Sequence, residues 1–221
     1  MGVVVRQGIK GSIVSYGGTL LGYLNIIILF PLILSTEQIG LYKVLIDAAT
    51  FFVIFSQLGM SNISIKFFPY FQNKEKQHNG FLFITTIIPL IGFIVFSILM
   101  WGFKDDLLLR FSEKSPLLLK YDHFLIPLSF TMLFLVILST YSRSLLRIVV
   151  PKFIREILIR LIITIGAILY YFEIIDFSEF IVCMVGGYGL ALISMIGYLK
   201  SLKQLFFKPQ LSFIDNKLGK K

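Results

Sequence analysis

The densest charge in the chain lies in its last third, where Arg143, Arg147, Lys152, Arg155 and Arg160 fall close together with Glu156 among them. At about 100° per residue, Lys152, Arg155, Glu156 and Arg160 share an arc of roughly 140° on one helix. A basic cluster in a helix's first turn opposes the macrodipole, and the backbone amides there favour an anion. The chemistry this suggests is capture of a diphosphate or lipid headgroup. Ordinary anchoring at the inner membrane face, with phospholipid contacts, fits the same residues. Arg160 lies deepest from the loop. Arg143 and Arg147 are spaced i,i+4 at a helix end where cations suit the dipole.

A second constellation is Lys43 with Asp47, again i,i+4 on one face. An isolated charge at mid-bilayer costs about 2.5–3.5 kcal/mol, so such residues usually meet a partner or a cavity. These two lie near the outer end of their span. They read either as a cavity-lining pair or as an intrahelical pair at the interface. Asn25, Gln57 and Asn62 are polar groups at membrane depth, suited to interhelical hydrogen bonds or to cavity lining. His78 reads as a solvated loop residue, His123 as interfacial and Cys183 as a small buried side chain. No Walker A, H-E-x-x-H, C-x-x-C or G-x-S-x-G pattern occurs, so no catalytic residue and no metal or cofactor site is expected.

The elements that position these residues are membrane helices. Hydrophobic residues make up 57% of the chain, charged residues 15%, and the mean hydropathy is +0.86. A soluble domain carries about 25% charged residues, so an integral membrane protein is indicated. The net charge of +9 is explained by inner-face anchors, and no nucleic-acid partner is expected. The basic N-terminus precedes an apolar run too long for a signal peptide, and the run should stay in the mature protein. The reading is all-α, with six spans at about 11–34, 40–65, 80–103, 124–142, 151–172 and 180–199 in one lobe over 1–199. The second of these reads as one unbroken helix, opened by a capping box of Ser35 and Gln38 and followed by Pro69 just beyond its end. Pro151 marks the first turn of the fifth span. Gly18-x-x-x-Gly22 and the trio Gly186, Gly187 and Gly189 permit close helix packing. Pro31, Pro89 and Pro127 are possible hinges.

Charge asymmetry orients the bundle. With both termini inside, the inner segments hold sixteen of the 21 basic residues, and the outer ones nine of the twelve acids. The longest outer loop, Lys104 to Asp122, reads as a surface hairpin or interfacial helix. After Leu199 a basic tail, residues 200–221, reads as lying on the inner membrane face.

Several stretches in order resemble one family. They are VVVRQGIKGSIVSYGGTLLG at the start, E-x-I-G-L-Y-x-V-L, Q-L-G-M-S and K-F-F-P-Y-F between Glu37 and Phe71, GFLFITTIIPLIGF, and RIVVPKFIREILIRL. Together they resemble the polysaccharide (O-antigen type) flippases of the multidrug/oligosaccharidyl-lipid/polysaccharide exporter superfamily. That resemblance implies a bacterial cytoplasmic (inner) membrane protein of lipopolysaccharide or polysaccharide biosynthesis. It would move undecaprenyl-diphosphate-linked oligosaccharide between leaflets by alternating access of two lobes. The implied partners are that lipid-linked substrate, membrane lipids and a second lobe. By position the resemblance adds Arg6, Lys10 and Lys66 to the Arg143–Arg160 cluster as diphosphate contacts. Family members have about twelve to fourteen helices, so six spans look like the N-terminal lobe alone, with residues 200–221 leading to a second lobe or with two copies pairing. Three other readings stay open. A drug/cation antiporter of the same superfamily would use Asp47. A polyprenyl-dependent membrane glycosyltransferase would need Glu37, Asp105 or Asp106. A membrane scaffold would need none of these.

Overall fold

The computed structural model describes residues 2–73, 75–103 and 116–207, and these form helices and their connections, with no strand among the described residues. Helix α1 covers Val3–Tyr23 and continues through a π-helical segment, Leu24–Leu29, into Phe30–Ile33. The remaining helices are α2 (Thr36–Ser56), α3 (Met60–Phe71), α4 (Phe81–Gly102), α5 (Pro116–Tyr121) and α6 (Leu125–Ser144). Helix α7 runs Val149–Phe153, through a second π-helical segment at Ile154–Leu158, to Ile159–Tyr171, and α8 is Phe177–Ser201.

Among the described residues, five stretches are long and apolar enough to cross a membrane: Val5–Ile33, Thr36–Ser56, Gln77–Gly102, Leu117–Ser144 and Phe177–Ser201. The expected span at 151–172 is a continuous helix too, but Lys152, Arg155, Glu156 and Arg160 break its apolar character. Helix α6 is the centre of the bundle. Half of its apolar stretch is buried, against a third or less in the other four, and every residue from Ile137 to Ser142 is buried. Helices α2, α3, α4 and α8 pack around it, while α7 lies between α8 and α1. The main core joins Phe30, Leu41, Leu45, Leu128, Tyr141, Ile163, Phe180 and Met184. Large apolar side chains face outward, among them Ile13 and Tyr16 on α1, Phe51 and Ile54 on α2, Ile94 and Ile98 on α4, and Ile193 on α8. In lipid such exposure carries no hydrophobic cost, so packing and hydrogen bonds hold the helices together.

The start of α2 follows from its sequence. Ser35 Oγ accepts from the Gln38 N–H at 3.3 Å, and Gln38 Oε1 accepts from the Ser35 N–H at 2.8 Å. Its end differs from the single long span expected. The helix stops at Ser56, because Leu58 (φ 48°) and Gly59 (φ 73°) adopt left-handed backbone, and α3 restarts at Met60. Gly59 supplies the conformation that other residues avoid and acts as the N-cap of α3. Pro69 then lies inside α3. The Ser56 carbonyl at this break faces Gly92 of α4 so closely that a Cβ there would collide with it. Helix α8 begins at a second capping box, with Asp176 Oδ1 accepting from the Glu179 N–H at 2.7 Å and Glu179 Oε2 accepting from the Asp176 N–H at 2.8 Å. Pro151 sits in the third position of α7, since that helix starts at Val149.

Candidate functional site

The basic cluster is organised by the contact between α1 and α7. Gly18 and Gly22 form a smooth seam on α1. A Cβ on Gly18 would lie 2.7 Å from the Glu156 Cβ and 2.8 Å from its carbonyl oxygen, and one on Gly22 would lie 2.8 Å from the Arg160 guanidinium carbon. Each glycine of the pair therefore seats one of two α7 residues that are themselves four apart. Arg160 Nη1 donates to the Gly18 carbonyl. One turn nearer the N-terminus of both helices, Lys152 Nζ donates to Ser15 Oγ at 2.8 Å and reaches the Gly11 carbonyl at 3.5 Å. At the loop preceding α7 the Ile148 N–H donates to Gln7 Oε1 at 3.4 Å.

The seam continues past Gly22. Asn25, buried in the π-helical segment of α1, donates through Nδ2 to the Arg160 carbonyl at 3.2 Å and accepts from Thr164 Oγ1 at 2.9 Å. Of the two roles open to Asn25, the interhelical hydrogen bond is the one present. Gln57 instead accepts from Ser61 across the α2–α3 break at 2.6 Å, and Asn62 is exposed. Pro31 gives a physical reason for the π segment in α1. A proline ring clashes with the carbonyl four residues back, and a wider turn just before it removes the clash.

Beside this seam lies a hollow of about 450 Å³, walled by Arg143 and Ser139 of α6, Ile148 before α7, and Pro151, Lys152, Arg155, Glu156 and Arg160 of α7. Arg155 and Glu156 both belong to the π-helical segment, and of the two only Glu156 packs on an α1 glycine. Lys152, Glu156 and Arg160 form the face that grips α1, while Arg155 is exposed and within electrostatic reach of Arg143. Among the described residues neither the Arg143 nor the Arg155 side chain has a hydrogen bond or an ion pair. Two unpaired guanidiniums facing one hollow can neutralise and fork a multivalent oxyanion.

Four of the basic residues singled out in the sequence, Arg143, Lys152, Arg155 and Arg160, thus meet in one place. Arg147, Arg6, Lys10 and Lys66 are exposed and do not wall the hollow. Lys66 rests over the ring of its neighbour Phe67 at 5.8 Å. Lys43 and Asp47 are both exposed on α2 and, among the described residues, form no ion pair with each other. Glu37 is exposed in the first turn of α2, whereas Asp105 and Asp106, Lys74, Lys104 and the tail from Lys208 lie outside the described residues. Ser139 was the residue missed. Its signal was its place one turn before Arg143 on the same helix.

His78 differs from its expected place in solvated loop. It is 3% exposed. Its ring packs against Phe68 at 5.3 Å and Phe206 at 5.6 Å, and Nε2 lies 2.7 Å from Gln204 Oε1. His123 is exposed, and Cys183 is half-buried with its Cβ against Gly166. No protein family, curated protein or solved structure matches the chain.

Proposed function

We propose that this multi-pass helical membrane protein is the N-terminal lobe of a polysaccharide flippase of the multidrug/oligosaccharidyl-lipid/polysaccharide exporter superfamily. Its work is to move undecaprenyl-diphosphate-linked oligosaccharide across the bacterial cytoplasmic membrane. In this reading α7 is a sixth span, both termini face the cytoplasm, and the hollow opens at the inner end, where the diphosphate is captured. The observation that carries the reading is the pair of guanidiniums, Arg143 and Arg155, facing one hollow with neither in an ion pair among the described residues; the single carboxylate on that wall, Glu156, is set against four cations. A second lobe, or a second copy of this chain, completes the transport path.

The roles divide within the cluster. Arg143 and Arg155 bind the anion. Lys152 and Arg160 are engaged by α1 and fix the wall against which it binds. The test is complementation in a strain lacking its own lipid-linked oligosaccharide flippase, with surface glycan as the readout and the native full-length gene as the wild type. Arg143→Ala and Arg155→Ala, singly and together, should reduce surface glycan while membrane levels of the protein hold. Unchanged glycan in the double variant overturns the proposal.

A further inference from the structure

Beside its cations and the Glu156 carboxylate, the hollow is lined by an unpaired hydroxyl. Ser139 is 4% exposed, lines the hollow, and its Oγ has no hydrogen-bond partner among the described residues. Other hydroxyls on α6 are satisfied by the carbonyl one turn back: Ser129 on Leu125, Thr131 on Pro127 and Ser144 on Thr140. That back-bond is the usual refuge of a hydroxyl in an apolar helix. Ser139 does not take it. A buried unpaired hydroxyl is destabilising and asks for an explanation.

The surroundings supply one. Arg143 stands one turn along the same helix, and Arg155 and Lys152 approach from α7. Hydroxyl and cationic donors therefore line the hollow from two helices, with the Glu156 carboxylate of α7 on the same wall and outnumbered by the cations. A carboxylate brings a single negative charge to a wall that carries four cations. A phosphate group carries more charge and presents its non-bridging oxygens tetrahedrally, enough acceptors for two guanidiniums and a hydroxyl. We propose that Ser139 is a ligand-positioning residue, whose Oγ–H donates to a phosphate oxygen of an anion neutralised by Arg143 and Arg155. The proposal rests on the reading of the hollow as an anion site and names the chemistry of that anion as phosphate or diphosphate, free or in a lipid headgroup.

The full chain in nanodiscs of phosphatidylcholine, titrated calorimetrically with inorganic pyrophosphate, tests it. Saturable binding is expected, weakened about tenfold or more in Ser139→Ala, as for a hydrogen bond to a charged acceptor. The thermal midpoint of that variant should not fall, because the hydroxyl has no partner to lose. If pyrophosphate does not bind but phosphatidic acid does in native mass spectrometry, with lower occupancy in Ser139→Ala, the phosphate belongs to a lipid headgroup and the proposal holds in that form. Equal binding of wild type and Ser139→Ala to both probes overturns it. Loss of binding in Arg143→Ala with Arg155→Ala but not in Ser139→Ala rejects the serine alone. No binding to either probe rejects the anion site as well.

Discussion

His78 and Gln204 lie 126 positions apart in the chain and meet at 2.7 Å. His78 Nδ1 accepts the Asn73 N–H at 3.2 Å, so Nε2 carries the proton and donates to Gln204 Oε1. Tyr141 Oη donates to the Gln204 carbonyl at 2.9 Å, and Phe83 and Phe207 meet edge to face at 5.5 Å. The segment after α8 is thereby tied to the loop between α3 and α4. That loop is unusual in itself, because Gln77, His78, Asn79 and Gly80 all have left-handed backbone. Left-handed conformation costs about 1–2 kcal/mol for each residue other than glycine, and such a run persists only where its surroundings over-determine it. Here Asn79 Nδ2 donates to the Phe71 carbonyl at 3.1 Å and the His78 N–H donates to the Asn73 carbonyl at 2.7 Å.

Replacing His78 by Ala removes the tie and leaves buried partners unpaired, a loss of about 1–3 kcal/mol. The expected outcome is a lower thermal midpoint in detergent, together with faster hydrogen exchange at residues 202–207 and 76–80. Unchanged exchange in both segments would show that the histidine is not what holds them.

Glycine substitutions on α1 should be graded by what each Cβ meets. Gly18→Ala runs into the Glu156 Cβ and backbone carbonyl, and should cost about 1–3 kcal/mol as overpacking does. Gly22→Ala meets the far end of the long Arg160 side chain, not backbone, and should cost less, while Gly8→Ala meets nothing within 4 Å and should be neutral. Thermal midpoints of the three variants check the order.

The break between α2 and α3 separates backbone strain from packing. A Cβ on Gly59 has open space around it, so Gly59→Ala pays only for its φ of 73°, about 1 kcal/mol. Leu58→Gly relieves a φ of 48° and gives up an exposed side chain. It should stay within about 0.5 kcal/mol of wild type, since relief and the extra chain entropy of glycine offset each other. Unfolding midpoints in denaturant decide both.

Arg160 and Arg155 should part company by readout. Arg160→Ala removes the bond to the Gly18 carbonyl and should lower stability. Arg155→Ala should leave stability within about 0.5 kcal/mol of wild type, as for an exposed surface change. Its effect belongs to anion binding. A midpoint loss in Arg155→Ala equal to that of Arg160→Ala would contradict the division.

Lys43 and Asp47 form no ion pair among the described residues, so a double-mutant cycle with Lys43→Ala and Asp47→Ala should show coupling below about 0.3 kcal/mol. A larger coupling would restore the intrahelical pair that their spacing suggests.

How far the sequence carried depended on whether a feature is local. The box at Ser35, five of the six apolar spans (the second cut short at Ser56) and the glycines of α1 are short-range patterns that appear where they lie in the sequence. The break at Leu58 and Gly59 was missed because one glycine in an apolar run also fits an unbroken membrane helix. The burial of His78 was missed because its partner Gln204 is remote in sequence and the pocket requires four consecutive residues of left-handed backbone. The convergence of Arg143 with Arg155 was only half legible. Helical geometry at 100° per residue groups Arg155 with Lys152, Glu156 and Arg160, and all four line the hollow, whereas Arg143 reaches it from another helix, which no local pattern announces.

Those π-helical turns have a mechanical consequence. Each stores one residue more than the helix around it needs. Passing it along by a single position exchanges one carbonyl partner for the next and turns the residue it passes by about 100°. In α7 the residues within reach are Arg155 and Glu156, and in α1 the corresponding one is Asn25. Both π segments lie along the shared seam, so a shift of the α7 segment by one position would change which side chain meets Gly18 and Gly22.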